Sequence, residues 1–293
     1  MPNPLSRLFH HLPKWLHRVS VGVNHVVEIF LPFLYFIPGT VAVTASLITI
    51  WFQGMLIVSG NFSWLNVITL VLCIPALNDD FFVRLGMSRL PDPTDAGLPW
   101  YVISSAAFLY LCYRSYEPLL NIFAKHQAMN RSFDPFHIVN TYGAFGSITR
   151  DRPEIIFQGT LDPEVSKETT WQEYHFKGKP GDVNRCPPQV TPYHYKLDWQ
   201  LWFAAMSDYR YNPWVLNLVA KFLKADKNTL RLLRKDPFHG KRPRYIKAEV
   251  FLYKFTKIGE EGYWKRVWMH SYLPPLSLND ESFRQYLKEE EWE

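Results

Sequence analysis

Between Ile29 and Asn78 the chain contains no Asp, Glu, Lys or Arg. A helix that crosses a bilayer needs about 20 apolar residues, so this uncharged run has room for two crossings. Core helices of soluble proteins are usually shorter and carry polar positions on one side. A 293-residue soluble fold has little interior in which to hide such a run, and the feature therefore predicts a membrane protein. Gly39–Ser59 (GTVAVTASLITIWFQGMLIVS) reads as the clearest span. Phe62–Leu77, broken by Pro75, reads as a second, and Leu98–Tyr113, closed by Arg114, as a third. Val26–Ile37 contains Pro32 and reads as a kinked, re-entrant or interfacial piece.

Around these blocks the polar residues set boundaries. Met1–Val23 holds Arg7, Lys14 and Arg18, no acid, and apolar residues at helix-like spacing interrupted by Pro13. It reads as an amphipathic segment on the membrane surface, on the cytosolic side by the positive-inside rule. Glu28, beside His25, reads as an interfacial acid facing water. Asn61-Phe62-Ser63 matches a glycosylation sequon but abuts apolar sequence, whereas Asn130-Arg131-Ser132 is the better candidate acceptor.

After Pro118 the composition changes to that of a water-soluble domain. EIIFQ (154–158), WQEYHFK (171–177), YIKAEVFLYKFTK (245–257) and YWKRVWMHSY (263–272) read as strands, the last stopped by Pro274-Pro275. Helices are expected at 198–206, at 214–224 with Pro213 at its first position, at 228–235, and in an exposed tail at 280–293. The organisation predicted is a surface segment (1–25), a transmembrane helical region (26–118), a linker (119–134) and a soluble domain (135–293). The fold class is an α-helical transmembrane region followed by a soluble α+β domain with a mainly antiparallel sheet, sandwich-like in one arrangement.

The net charge of +5 comes without a Lys/Arg run, which argues against nucleic-acid binding. The three cysteines form no CxxC pair, and no metal or cofactor motif is written in the chain. His194 and Asp198, four apart, are the nearest thing to a catalytic pair, although Asp198 reads better as a helix N-cap. Asp79-Asp80 reads as a boundary charge pair and not as a metal site.

Five strings, FHIVNTYGAFGSITRDRPEIIFQGT (136–160), WQEYHFKGKPGD (171–182), TPYHYKLDWQLWFAA (191–205), NPWVLNLVAKFL (212–223) and YLPPLSL (272–278), together resemble the lipase maturation factor family. VSGNFSWLN (58–66) followed by Asp79-Asp80 is similar to that family's last hydrophobic stretch. Relatives are longer, so the chain resembles the C-terminal part of a member, with further spans expected before Met1. The family's frequent Cys in the stretch matching 176–178 is replaced here by Gly178. The resemblance implies a multi-pass endoplasmic-reticulum protein with a luminal C-terminal domain, or a cytoplasmic-membrane protein in bacteria. It implies a chaperone-like, non-enzymatic factor that assists folding, assembly and secretion of dimeric lipases. The expected partners are membrane lipid and client lipases, with no cofactor and an open oligomeric state. Asn140, Tyr142, Gly143, Gly146, Arg152, Glu154, His194, Asp198, Trp199 and Trp202 are candidate client-contact or structural residues, with Gly143 and Gly146 suited to positive φ. Phe203, Trp214, Tyr253, Trp264 and Trp268 extend the aromatic set. Two other readings stay open: a membrane enzyme acting on lipid through groups such as His25, Glu28, His194 or Asp198, and a β-rich module that binds a sugar or peptide at a sheet edge.

Overall fold

The computed structural model describes residues 1–88, 97–143 and 149–292. It forms two compact units, one of Met1–Met87 with Asp151–Glu293, the other of Ser88–Arg150.

The first unit begins with α1 (Ser6–His10) and α2 (Lys14–His25), parted by Pro13. A π-helical turn, Val26–Phe30, leads into α3 (Leu31–Leu34). Pro32 has no amide hydrogen to give the Glu28 carbonyl, so the α-helical ladder cannot run unbroken past this point. Gly39, at φ 83°, reverses the chain into α4 (Thr40–Ser59). The buried side of α4 is Ala42, Ala45, Ser46, Thr49, Phe52 and Gln53, at spacings of three and four. Leu47, Ile48 and Trp51 are exposed. Small and polar residues inside with large apolar residues outside is the pattern of a helix in lipid. α5 (Leu65–Cys73) packs on α4 and tightens at Pro75 into a 3-10 turn, Ile74–Ala76. Those twelve residues rise about 18 Å, short of a hydrocarbon core about 30 Å thick. α6 (Asp79–Arg84) is capped by Asn78, whose Oδ1 accepts the Phe81 amide at 3.0 Å. Asp79 and Asp80 thus occupy a helix's first turn, where a negative charge is favoured. Among the described residues one helix, α4, is long and apolar enough to cross a membrane.

The second unit holds α7 (Gly97–Arg114), α8 (Tyr116–Ile122) and a two-stranded antiparallel pair, β1 (Arg131–Ser132) with β2 (Asn140–Thr141). Trp100 and Tyr101 near one end of α7, and Tyr110 and Tyr113 near the other, are exposed. Asp134 fixes the turn between β1 and β2 by accepting the amides of Phe136, Ile138 and Val139. Those amide bonds hold its carboxyl below the usual range.

The rest of the first unit is built on an antiparallel sheet of order β4-β3-β7-β8. β3 (Arg152–Thr160) pairs along its full length with β7 (Tyr245–Phe255), and β8 (Trp264–Leu276) lies outside β7. On one face Ile155, Phe157, Ile246, Ala248 and Val250 meet Val215, Val219 and Phe222 of α10 (Trp214–Leu223). Tyr174 stacks on Phe222 with ring centres 4.5 Å apart. On the other face Ile156, Tyr253 and Trp264 form a smaller cluster.

Several elements differ from the sequence expectation. The stretch 171–177 is two short strands, β4 (Gln172–Glu173) and β5 (His175–Phe176), because β5 leaves β3 to pair with β6 (Leu233–Lys235). The helix expected at 228–235 accordingly stops early, as α11 (Lys227–Leu230). Pro274 and Pro275 do not end β8, since a sheet edge needs no outward donors from them and the register shifts there. Pro213 is the N-cap of α10 and not its first residue. The tail helix α12 (Glu281–Glu289) is not simply exposed: Phe283 and Leu287 are buried in the main core.

Candidate functional site

Sequence neighbours 152 and 154 project to the same side of β3, as strand geometry requires. There Arg152 lies 2.7 Å from Glu154 Oε1, and Lys179 Nζ lies 3.1 Å from Glu154 Oε2. The contacts are at ion-pair distance but off the hydrogen-bond axis. Lys179 Nζ also donates to the Ile155 carbonyl at 3.0 Å. Burial by itself would raise the Glu154 carboxyl, but Lys179 and Arg152 outweigh it and hold the group below the usual carboxylate range.

Asp198 lies in the first turn of α9 (Lys196–Ala204). It does not cap that helix. The N-cap is Tyr195, and Asp198 Oδ1 instead accepts the amides of Gly178 at 2.6 Å and Lys179 at 3.1 Å. Burial pushes its carboxyl up, and the two amides and Lys179 offset part of that rise. The 178–179 turn is thereby tied to α9 through Asp198 and to β3 through Glu154. Arg152 also lies over the Trp202 ring at 5.8 Å, Trp202 meets Trp199 edge-on at 5.6 Å, and His194 stacks on Trp199 at 5.6 Å. Six of the residues singled out from sequence therefore converge: Arg152, Glu154, His194, Asp198, Trp199 and Trp202.

They do not form a catalytic pair. His194 Nδ1 is 2.9 Å from Ser63 Oγ, while Asp198 faces backbone amides, so the carboxylate does not orient the imidazole. Burial lowers the His194 pKa, which favours a neutral ring. Glu154, Lys179 and Asp198 are 0%, 2% and 1% exposed, so no substrate atom can reach them. The cluster is a charge-balanced lock. Sequence reasoning missed Lys179, which reads locally as part of a turn and whose partner lies 25 positions away.

A second junction lies within the same unit. Asn61 is buried, donates to the carbonyls of Pro2 and Pro188 at 2.8 Å each, and accepts the amides of Val190 and Thr191. Arg7 reaches the carbonyls of Thr256, Lys257 and Gly262 at the β7–β8 connection, and His11 lies 2.9 Å from the Thr256 carbonyl. The end of α4 and the N-terminal segment are thus bonded to the sheet half, so the expectation that Met1–Val23 and the soluble domain face opposite sides of the membrane does not hold. The buried Asn61 side chain leaves no room for a glycan.

The other candidates are placed separately. In the second unit Asn130 is exposed at φ 54°, and its Oδ1 accepts the Gly143 amide at 3.1 Å. Asn140 Nδ2 donates to the His137 carbonyl at 3.0 Å, and Tyr142 is exposed. Gly146 lies outside the described residues. Tyr253 and Trp264 are buried, Trp202 and Trp214 half-buried, and Phe203 and Trp268 exposed. Among the described residues no three His, Cys, Asp or Glu side chains are grouped to hold a metal.

Comparison with known proteins matches residues 1–84 to the lipase maturation factor transmembrane domain and residues 138–274 to the lipase maturation factor C-terminal domain. The chain belongs to the lipase maturation factor family. Lipase maturation factor 1 of Homo sapiens is 37% identical over 317 residues, covering all of this chain and 56% of the relative. The Mus musculus protein of that name is 38% identical, with 55% of its length covered. Lipase maturation factor 2 of Xenopus laevis is 24% identical over 96% of this chain. The chain spans about half the length of these curated relatives. No solved structure matches it. The transmembrane-domain match agrees with α4 and makes this a membrane protein.

Proposed function

We propose that this lipase maturation factor is a chaperone-like membrane component that assists folding, assembly and secretion of dimeric lipases. It resides in the endoplasmic-reticulum membrane as a multi-pass protein, with the sheet half in the lumen, and works without catalysis. The relatives' names supply the client class. The structural observation that carries the reading is the outer strand. β8 is 13 residues long, pairs on one side only, and exposes Val267, Trp268 and Met269 in succession. An edge of this kind offers backbone donors and acceptors together with apolar side chains, which suits an extended segment of an unfinished chain. The buried lock behind β3 keeps the sheet rigid while the edge engages.

The test places a photo-crosslinking residue at Trp268, or at buried Ala248, in cells making a secreted dimeric lipase. The Trp268 position captures newly made lipase and the Ala248 position does not. Equal capture at both, or at neither, contradicts the reading. Modification of Asn130 by the host's glycosylation machinery, with Asn61 unmodified, supports a luminal sheet half, and an unmodified Asn130 in a membrane-integrated chain counts against it.

A further inference from the structure

Glu28 is the only Asp or Glu in the first 78 residues, and the structure sets it on the wall of a cavity of about 380 Å³ among the helices. Val27, Tyr35, Thr49, Gln53 and Cys73 share that wall. Thr49 is the tenth of the twenty residues of α4, about 15 Å from either end at helical rise. The cavity therefore opens at the depth of the hydrocarbon core, where a lone carboxylate is costly. One Glu28 oxygen takes the Asn24 amide at 3.2 Å, and no cation pairs with Glu28 among the described residues. Glu28 also sits in the π-helical turn, a feature that recurs at functional positions.

The other polar groups divide into satisfied and uncommitted. Tyr35 Oη donates to Thr49 Oγ1 at 3.0 Å and lies 3.4 Å from Cys73 Sγ, while Thr49 donates to the Ala45 carbonyl. Gln53 Oε1 accepts from Asn66 Nδ2 at 2.6 Å, which leaves the Gln53 amide hydrogens without a partner among the described residues. A negative acceptor and a neutral donor thus face one largely apolar space of a size typical for small ligands. We propose that this cavity binds a membrane-borne amphiphile carrying a single ammonium group, with the ammonium on Glu28 and the alkyl chain leaving between Pro32 and Leu72. The site is independent of the lipase reading: it uses different residues and makes no demand on the strand edge.

The experiment uses the full chain in lipid nanodiscs with a diazirine-bearing dodecylamine as probe. Saturable labelling is expected in the peptides around residues 26–35 and 65–77, displaced by dodecylamine and not by dodecanoate or dodecanol. Glu28→Gln is expected to weaken displacement by about tenfold or more, the loss of one charged hydrogen bond. Thr69→Trp, which fills the cavity and leaves Glu28 in place, is expected to abolish labelling, and it decides the matter if the Glu28 variant does not fold. Labelling that does not saturate, that dodecanol displaces equally, or that survives in the Thr69→Trp chain overturns the proposal.

Discussion

α4 and the sheet half bury different mixtures of side chain. α4 hides four small residues, Ala42, Ala45, Ser46 and Thr49, with Phe52 and Gln53, and turns Leu47, Ile48 and Trp51 outward. The sheet half hides Phe157, Phe222 and Leu223 and carries its charged residues largely at the surface. Water drives large apolar groups inside. Lipid does not, and helices in it associate through close backbone approach and polar contacts. The exceptions are equally instructive. The sheet half buries Glu154, Lys179 and Asp198 only because each is matched, whereas the helices hold Glu28 beside a cavity with the Asn24 amide and, among the described residues, no cation.

Breaking that contrast should produce graded effects. The largest is expected from Lys179→Met, which takes away one of the two cations that neutralise buried Glu154 and leaves Arg152 alone against it. The chain should lose about 3–5 kcal/mol in chemical denaturation, and Glu154→Leu in the same chain should restore most of it. Leu287→Ala, which hollows the core beneath α12, should cost about 3 kcal/mol by the same measurement. Asn61→Ala removes the donor bonds to the Pro2 and Pro188 carbonyls and the acceptor of the Val190 and Thr191 amides, which join the end of α4 to the N-terminus and to the 188–191 loop. It should cost about 2 kcal/mol and increase proteolysis near Pro188. Ala45→Leu should cost about 2 kcal/mol by overpacking the α4 contact, while Trp51→Leu on the outer face should be nearly silent in nanodiscs.

Acid sharpens the same contrast. The Glu154 carboxyl is held below its unfolded value, so its contribution to stability is complete above the ordinary Glu range and is lost as pH falls through the folded value. Asp198 works the other way. Its raised carboxyl costs stability once ionised, and that cost is relieved as the pH falls. Glu154→Gln should therefore flatten the acid limb of a stability-versus-pH curve, and Asp198→Asn should steepen it.

Much of the fold was legible in the sequence where one physical signal dominates. The apolar run announced α4, and the dense β-branched and aromatic pattern of 245–257 announced β7. Legibility failed where a partner distant in sequence decides. Tyr174 donates its amide to Phe157, and β5 then turns to β6, so a strand read as continuous divides. The tail looked exposed because its charges are local, whereas the core that accepts Phe283 and Leu287 is assembled from remote segments. The lock was half legible. Arg152, Glu154 and Asp198 stood out, but nothing near Lys179 says that a carboxylate 25 positions earlier waits for it.

The central claim is that α4 lies in hydrocarbon. Single cysteines introduced at Leu47, Trp51 and Ser59 in a chain lacking Cys73, Cys112 and Cys186, reconstituted in nanodiscs, can be challenged with a water-soluble maleimide. The account predicts rapid labelling at Ser59 and protection at Leu47 and Trp51 until the bilayer is dissolved. Labelling of Leu47 and Trp51 as fast as Ser59 in the intact bilayer would contradict it.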